Sequence, residues 1–283
     1  MKLNVICIYL NDAPFVEAML KSVYPFANEI VFVTQHDRNF YNETVLPADQ
    51  TAQCILDFPD PENKIKLGMR RFFSPDASVT QAEMRNWGMY TLGGDCDYWW
   101  VVDTDEIYAA ADVKRLMDWL KNKRPYGARI PVWHYFKSWN YRVLPFDSKG
   151  QIAILRQGQR CRKRRRARPG LHQRLWSWAT RFQSAAYPSV PESVCVMHHG
   201  EFVGDDNRIL KKLNCNGHRA EFNQQWFEEV WQKWKPDARD FNPVIPVNFT
   251  EAVRVSFEDL PQAIRESTWP EGWIESDQEL GSA

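Results

Sequence analysis

The stretch Trp99-Trp100-Val101-Val102-Asp103-Thr104-Asp105-Glu106-Ile107-Tyr108 (WWVVDTDEIY) decides how the rest of the chain is read. With Tyr98 before it, it begins as an unbroken apolar run and turns acidic at Asp103. A short apolar run without polar alternation is the pattern of a strand buried on both faces of a sheet. In an open parallel sheet, ligands collect beyond the carboxyl ends of the strands, where loops and helix N-termini converge. Carboxylates two residues apart on an extended chain leave it on the same side, so Asp103 and Asp105 can converge on one hard cation, Mg²⁺ or Mn²⁺. An ion held by two or three protein oxygens keeps positions open for a diphosphate. The plainer alternative is an ordinary strand-to-loop turn in which the two aspartates accept from backbone N–H groups.

Outward from this stretch, the first 135 residues alternate apolar runs with helical spacing, which predicts an α/β layer with a central, mostly parallel sheet flanked by helices. Strands are expected at Leu3 to Tyr9, Glu29 to Thr34, Gln53 to Phe58, Tyr98 to Val102 and Ala128 to Val132. Asp12 offers an N-cap ahead of Pro14 and of Phe15, Ala18, Met19 and Val23 at helical spacing. Thr80 with Glu83 reads as a capping box opening a second helix, and Asp112 to Lys121 as a third. The later chain predicts strands at Ile152 to Leu155 and Val194 to Met197, a helix capped by Asp205 or Asp206 running toward Cys215, a helix over Glu221 to Lys235, and a short one after Asp259 and Pro261. The expected organisation is one domain over 1–204, with a nucleotide half (1–110) and an acceptor half (111–204), followed by a helical extension over 205–283.

The 283 residues are enough to bury a sizeable core, and 44% are apolar, which excludes a small stapled scaffold. No apolar run approaches a membrane span, and MKLNVICIYLND is too short for a signal sequence. The six scattered cysteines read as reduced thiols of a cytoplasmic protein. Neither G-x-G-x-x-G nor G-x-x-x-x-G-K-[ST] occurs, so bound phosphates must be held by metal and side chains. No G-x-S-x-G supports a serine hydrolase. The pairs Cys195/His198 and Cys215/His218 have a spacing that zinc ligands use, but on a strand Cys195 and His198 face opposite sides.

The succession of a first strand, Asn11-Asp12, a helix leading into SVYPFANEIVFV (22–33), and QAEMRNWGMYTLGGDCDYWWVVDTDE (81–106) resembles the GT-A fold glycosyltransferases, family 2-like enzymes in particular. The likeness covers about residues 3–110. It departs where Asn11-Asp12 stands for Asn-Glu and where Thr34-Gln35 replaces an Asp after strand two. The resemblance implies a metal-dependent glycosyltransferase that takes its sugar from a nucleoside diphosphate, UDP foremost. It places Tyr9, Asn11 and Asp12 near the base, Arg85 and Asn86 near the sugar or diphosphate, Asp103 at the ribose or metal, and Asp105 at the metal. A late histidine completes coordination in many such enzymes, and His198 and His199 are its candidates here. For an inverting reaction Glu192 is the expected base, with Asp147 second.

Formal charge is zero, with 36 Lys and Arg against 36 Asp and Glu, but the signs are segregated. Between Arg156 and Arg174 there are nine basic residues and no acid. Read as an exposed loop, this segment is either a solvated face or a contact for phosphates whose affinity falls with salt. Arg162, Lys163, Arg164, Arg165, Arg166 and Arg168, with Trp176 as a stacking face, then form the acceptor site. The acceptor this favours is DNA carrying hydroxymethylated or glycosylated bases, followed by an anionic bacterial glycolipid core or another glycan. A non-catalytic nucleic-acid-binding protein on a transferase-like fold is the rival from another class.

Overall fold

The computed structural model describes residues 1–35, 38–41, 43, 50–167, 187–215, 219–223 and 225–275. The apolar runs form the strands of one mixed sheet. Strands β1 (Leu3–Ile8), β2 (Glu29–Thr34), β3 (Ile65–Met69) and β4 (Tyr98–Val101) are mutually parallel, with order β3-β2-β1-β4. β1 and β4 are buried throughout, as strands covered on both faces must be. Helices α1 (Ala13–Val23), α2 (Thr51–Asp57), α3 (Ala77–Trp87) and α4 (Ala110–Lys123) flank them. The α/β class expected from the alternation is the one observed.

Beyond β4 the sheet changes character. It continues through β5 (Glu106–Tyr108), the 18-residue β6 (Gly127–Leu144), β7 (Asp147–Arg156), β10 (Met197–Val203) and β11 (Glu251–Arg254). β7 runs antiparallel to both β4 and β6, β10 parallel to β6, β5 antiparallel to β10, and β11 antiparallel to β6. The parallel half therefore ends at β4.

Several expectations are corrected. Gln53 to Phe58 lies in and just after α2 rather than in a strand; Ile65–Met69 is the third strand. Only Thr51 and Ile55 of α2 are buried, a four-residue spacing that suits a helix. The cap of α3 is Asp76, whose carboxylate accepts from the Ser78 N–H, and Thr80 is buried within the helix. Val194 sits in a turn and β10 starts only at Met197. The periodic run after Glu221 breaks into a short 3₁₀ turn (Arg219–Glu221) and a wide π turn (Phe227–Trp231). Its aromatics instead stack around Phe136: Trp226, Trp231, Trp234 and Phe241 all touch that ring. The residues after 205 are not only helical, since β11 joins the main sheet and Trp273 packs on Phe15 of α1. Helix α5 (Asp206–Cys215) starts where expected, with Asp205 accepting from the Arg208 N–H, and α6 (Gln262–Arg265) follows Pro261.

The described part of the basic segment is also not a plain exposed loop. β8 (Cys161–Lys163) and β9 (Arg166–Ala167) form a small hairpin with Arg164 and Arg165 at its tip. Asn86 clamps it to α3, donating to the Cys161 carbonyl at 2.8 Å and accepting from the Cys161 N–H at 2.9 Å. No described helix is long and apolar enough to cross a membrane.

Candidate active site

Where the order of the parallel strands reverses, between β1 and β4, their carboxyl ends open into a cleft of about 1020 Å³. Its floor is the turn from β4 into β5. Asn11, in the left-handed conformation (φ 57°) that asparagine tolerates, turns the chain from β1 into α1 at one side. Helix α5 and the β8–β9 hairpin bring cations from two other sides. Among the described residues, eight Arg and Lys against six Asp and Glu line the cleft, so this lining carries more positive than negative charge despite the acidic turn.

Each carboxylate of that turn is met by fixed charges. Asp103 accepts from Arg85 at 2.8 Å and pairs with Arg165 at 2.6 Å. Burial raises its carboxyl pKa, and Arg165 and Arg85 outweigh that effect and hold it below the ordinary range. Asp105 pairs with Lys212 at 2.8 Å, Arg208 at 3.4 Å and His199 Nε2 at 3.4 Å. Burial opposes ionisation there too, and Lys212, His199 and Arg208 hold the group well below the ordinary range. Glu106 is fully buried; it accepts from Arg165 at 2.5 Å and from the Asp103 N–H at 3.0 Å. Burial raises its pKa even so. Asp12 lies at the cleft wall with its pKa pushed up to about 6, first by burial and then by the Asp105 charge.

The structure brings Asn11, Asp12, Arg85, Asp103, Asp105, His199, Arg164, Arg165 and Arg166 to the one cleft. It places others elsewhere. Tyr9 is buried against Phe32 under the sheet end, and Asn86 is spent on the hairpin clamp. His198 and His199 leave β10 on opposite faces. His198 Nδ1 meets the Tyr135 hydroxyl at 2.8 Å, and its pKa is pushed down to about 3 by burial and Arg142. His199 faces Asp105. Its pKa is raised, burial being outweighed by the carboxylate. Glu192 is exposed in the turn before β10, outside the cleft lining. Asp147 caps its own turn, accepting from the Lys149 and Gly150 N–H groups, and does not line the cleft. Arg162 and Lys163 are exposed on β8, with Lys163 paired to Asp76. Arg168 and Trp176 lie outside the described residues, as does His218 of the second Cys/His pair.

Arg165 is the largest departure. Expected on a solvated loop, it is 6% exposed and neutralises Asp103 and Glu106. Arg208 and Lys212 were not singled out by the sequence reading. Their four-residue spacing on α5 announces one helical face, but only the fold shows that this face meets Asp105. His134 and Glu201 were missed as well. His134 is the register partner of His199 across parallel β6 and β10, and Glu201 follows two residues on. Single ligand atoms of His134, His199 and Glu201 lie within 4.8 Å of one another.

No protein-family profile matches the chain, and no curated protein does. Solved structures do match in part. Staphylococcus aureus TarS 1–349 aligns at 19% identity over 51% of this chain and 38% of that one, with a TM-score of 0.34. The same protein in complex with UDP-GlcNAc aligns at 18% over 51% and 37%, with a TM-score of 0.32. A 4-diphosphocytidyl-2C-methyl-D-erythritol synthase aligns at 13% over 56% and 70%, with a TM-score of 0.31. The chain thus spans well under half the length of the TarS chains it matches.

Proposed function

We propose that the chain is a glycosyltransferase that moves a sugar from a nucleoside diphosphate, UDP foremost, to a hydroxyl of its acceptor. The observation carrying this reading is the Asp103–Asp105 turn at the switch point of the sheet, ringed by Arg85, Arg165, Arg208 and Lys212 in a cleft with room for a nucleotide and a sugar. Breaking a glycosyl–phosphate bond leaves negative charge on the departing diphosphate, and cations held in place before the reaction stabilise it without reorganising. Arg208 and Lys212, on one helix face, are positioned for that task. Asn11 and Asp12, which line the cleft at the end of β1, are assigned to the base in this reading.

The Mn²⁺ or Mg²⁺ that this reading calls for would add charge neutralisation at the diphosphate. Asp105 can offer a cation its Oδ1, which His199 Nε2 approaches at 3.4 Å, while Oδ2 is taken by Lys212 and Arg208. Asp103 fits less well, because its two oxygens are taken by Arg85 and Arg165. For an inverting reaction the proton acceptor belongs among the carboxylates that line the cleft, and neither Glu192 nor Asp147 does so.

The acceptor side of the proposal is a polyanion, with DNA bearing hydroxymethylated or glycosylated bases first and an anionic glycolipid or other glycan second. Its support is the basic hairpin at the cleft, where Arg162 and Arg166 are exposed. The test is thermal shift with UDP, with and without Mn²⁺, followed by a panel of nucleoside-diphosphate sugars scored by diphosphate release against modified DNA, plain DNA and anionic glycolipid. Stabilisation by UDP and release that depends on acceptor are expected. No stabilisation by any nucleoside diphosphate would leave the nucleic-acid binder as the better account.

A further inference from the structure

We infer that His134, His199 and Glu201 form a binding site for a first-row transition-metal ion, and that this site, rather than the Asp103–Asp105 pair alone, sets which ion the cleft takes. Its use rests on the function proposed above; its existence does not.

The site is built by strand geometry. His199 on β10 and His134 on β6 are direct register neighbours in a parallel pair, so their rings leave the same face one strand spacing apart, with centroids 5.3 Å from each other. Between His199 and Phe202 the register slips, a local irregularity of the bulge type that re-aims side chains. The slip is pinned at Gly200, whose N–H donates to the Asp105 carbonyl at 2.8 Å. A Cβ at Gly200 would lie 2.7 Å from the Trp139 ring and 2.9 Å from Phe15, so only glycine lets the strand come this close. This contact sets β10 beside the acidic turn, with Glu201 joining the two imidazoles on one side and Asp105 next to His199.

A second observation, independent of the clustering, also points to a ligand. His199 is nine-tenths buried, and its Nδ1 has no hydrogen-bond partner among the described residues; the same is true of Nδ1 of His134. Buried polar atoms in native proteins are nearly always satisfied, so an orphaned nitrogen on each of two neighbouring imidazole rings, with a carboxylate in the same cluster, calls for an explanation, and an ion supplies it. The donor set decides the class. Two imidazoles and one carboxylate suit Mn²⁺, Fe²⁺, Co²⁺ or Zn²⁺, whereas Mg²⁺ seeks oxygen donors and water.

The test uses the full chain after chelator treatment, with no nucleotide or sugar present. Titration with Co²⁺ is followed by its visible absorption and by calorimetry, and Zn²⁺ and Mg²⁺ are added as competitors. One Co²⁺ per chain is expected, with a spectrum that reports nitrogen ligands, displaced by Zn²⁺ and not by excess Mg²⁺. His134→Gln and Glu201→Gln are each expected to weaken binding by more than about tenfold, the lower bound set by losses of merely outer-shell partners. His198→Gln, on the opposite face, leaves the affinity as it was. Circular dichroism confirms that each variant is folded. Absence of stoichiometric Co²⁺ binding by the wild-type chain, displacement by Mg²⁺, or wild-type affinity in both folded ligand variants overturns the inference. Metal binding without UDP stabilisation would instead overturn the proposed function and leave the site standing.

Discussion

Replacing Arg165 by Met tests whether the hairpin is part of the site or a solvated loop. In the folded chain Arg165 pairs with Asp103 at 2.6 Å and with Glu106 at 2.5 Å. Removing it leaves Asp103 with Arg85, so the orphaned charge is that of Glu106, which is fully buried and keeps, among the described residues, the Asp103 N–H alone. Stripping one partner from a buried ion pair costs about 3–5 kcal/mol, against about 0–1 kcal/mol for an exposed pair. Chemical denaturation at pH 7 should therefore show a loss of about 3 kcal/mol or more. Glu106→Gln added to Arg165→Met removes the stranded charge and should restore much of that loss, a non-additivity of about 1–3 kcal/mol in the double-mutant cycle. The sign with pH follows from Glu106. Burial raises its pKa, and losing Arg165 raises it further, so the cost of Arg165→Met shrinks as the pH falls and Glu106 takes up a proton. A loss below about 1 kcal/mol, or additive single and double variants, would refute the buried role of this arginine.

Further expectations follow from the same contacts. Asp12 has its pKa raised to about 6 from the ordinary 3.8, so ionising it opposes folding; its contribution is intact below about pH 4 and lost as the pH rises through 6. Asp12→Asn should raise the melting temperature at pH 8 and not at pH 4, by at most about 3 kcal/mol equivalent; equal shifts at both pH values would contradict this. Asp60 accepts from the Lys64 and Ile65 N–H groups and from the Tyr24 hydroxyl, joining the end of α1 to β3, and Asp60→Ala should cost about 1–3 kcal/mol in urea unfolding. Those bonds outweigh its burial and hold its carboxyl below the ordinary range, so the stabilisation is present above pH 4 and fades as acid protonates it. Lys212→Met should weaken UDP binding measured by calorimetry, with greater loss at low salt; unchanged affinity would remove this lysine from the phosphate site. If the acceptor is DNA, Arg162→Ala with Arg166→Ala should lower the salt slope of binding by about 2 while leaving the fold intact.

The strongly patterned parts of the chain could be read without the structure. The all-apolar runs at Leu3–Ile8, Glu29–Thr34 and Tyr98–Val101 form parallel strands, and the acidic turn after the last of them opens on the cleft. Segments of mixed pattern were misread for physical reasons. Gln53 to Phe58 is short enough to fit either period, and the real third strand, Ile65–Met69, is an edge strand with little buried surface to mark it. The aromatics after Glu221 match helical spacing, but they are placed by packing around Phe136 rather than by a helix. Side chains alternate along a strand, so only one of His198 and His199 can face the site, and only the register of β10 shows that it is His199.

By itself the sequence determined what local pattern can encode: the α/β class, the strand end that carries the carboxylates, and the segregation of nine cations into one segment. Tertiary structure decided which charges meet. Arg165 is drawn from the basic segment onto Asp103 and Glu106, Arg208 and Lys212 come from more than a hundred residues downstream to Asp105, and His134 becomes a neighbour of His199. These are contacts between segments far apart in the chain, set by strand register and helix docking, and no periodicity within any one segment records them.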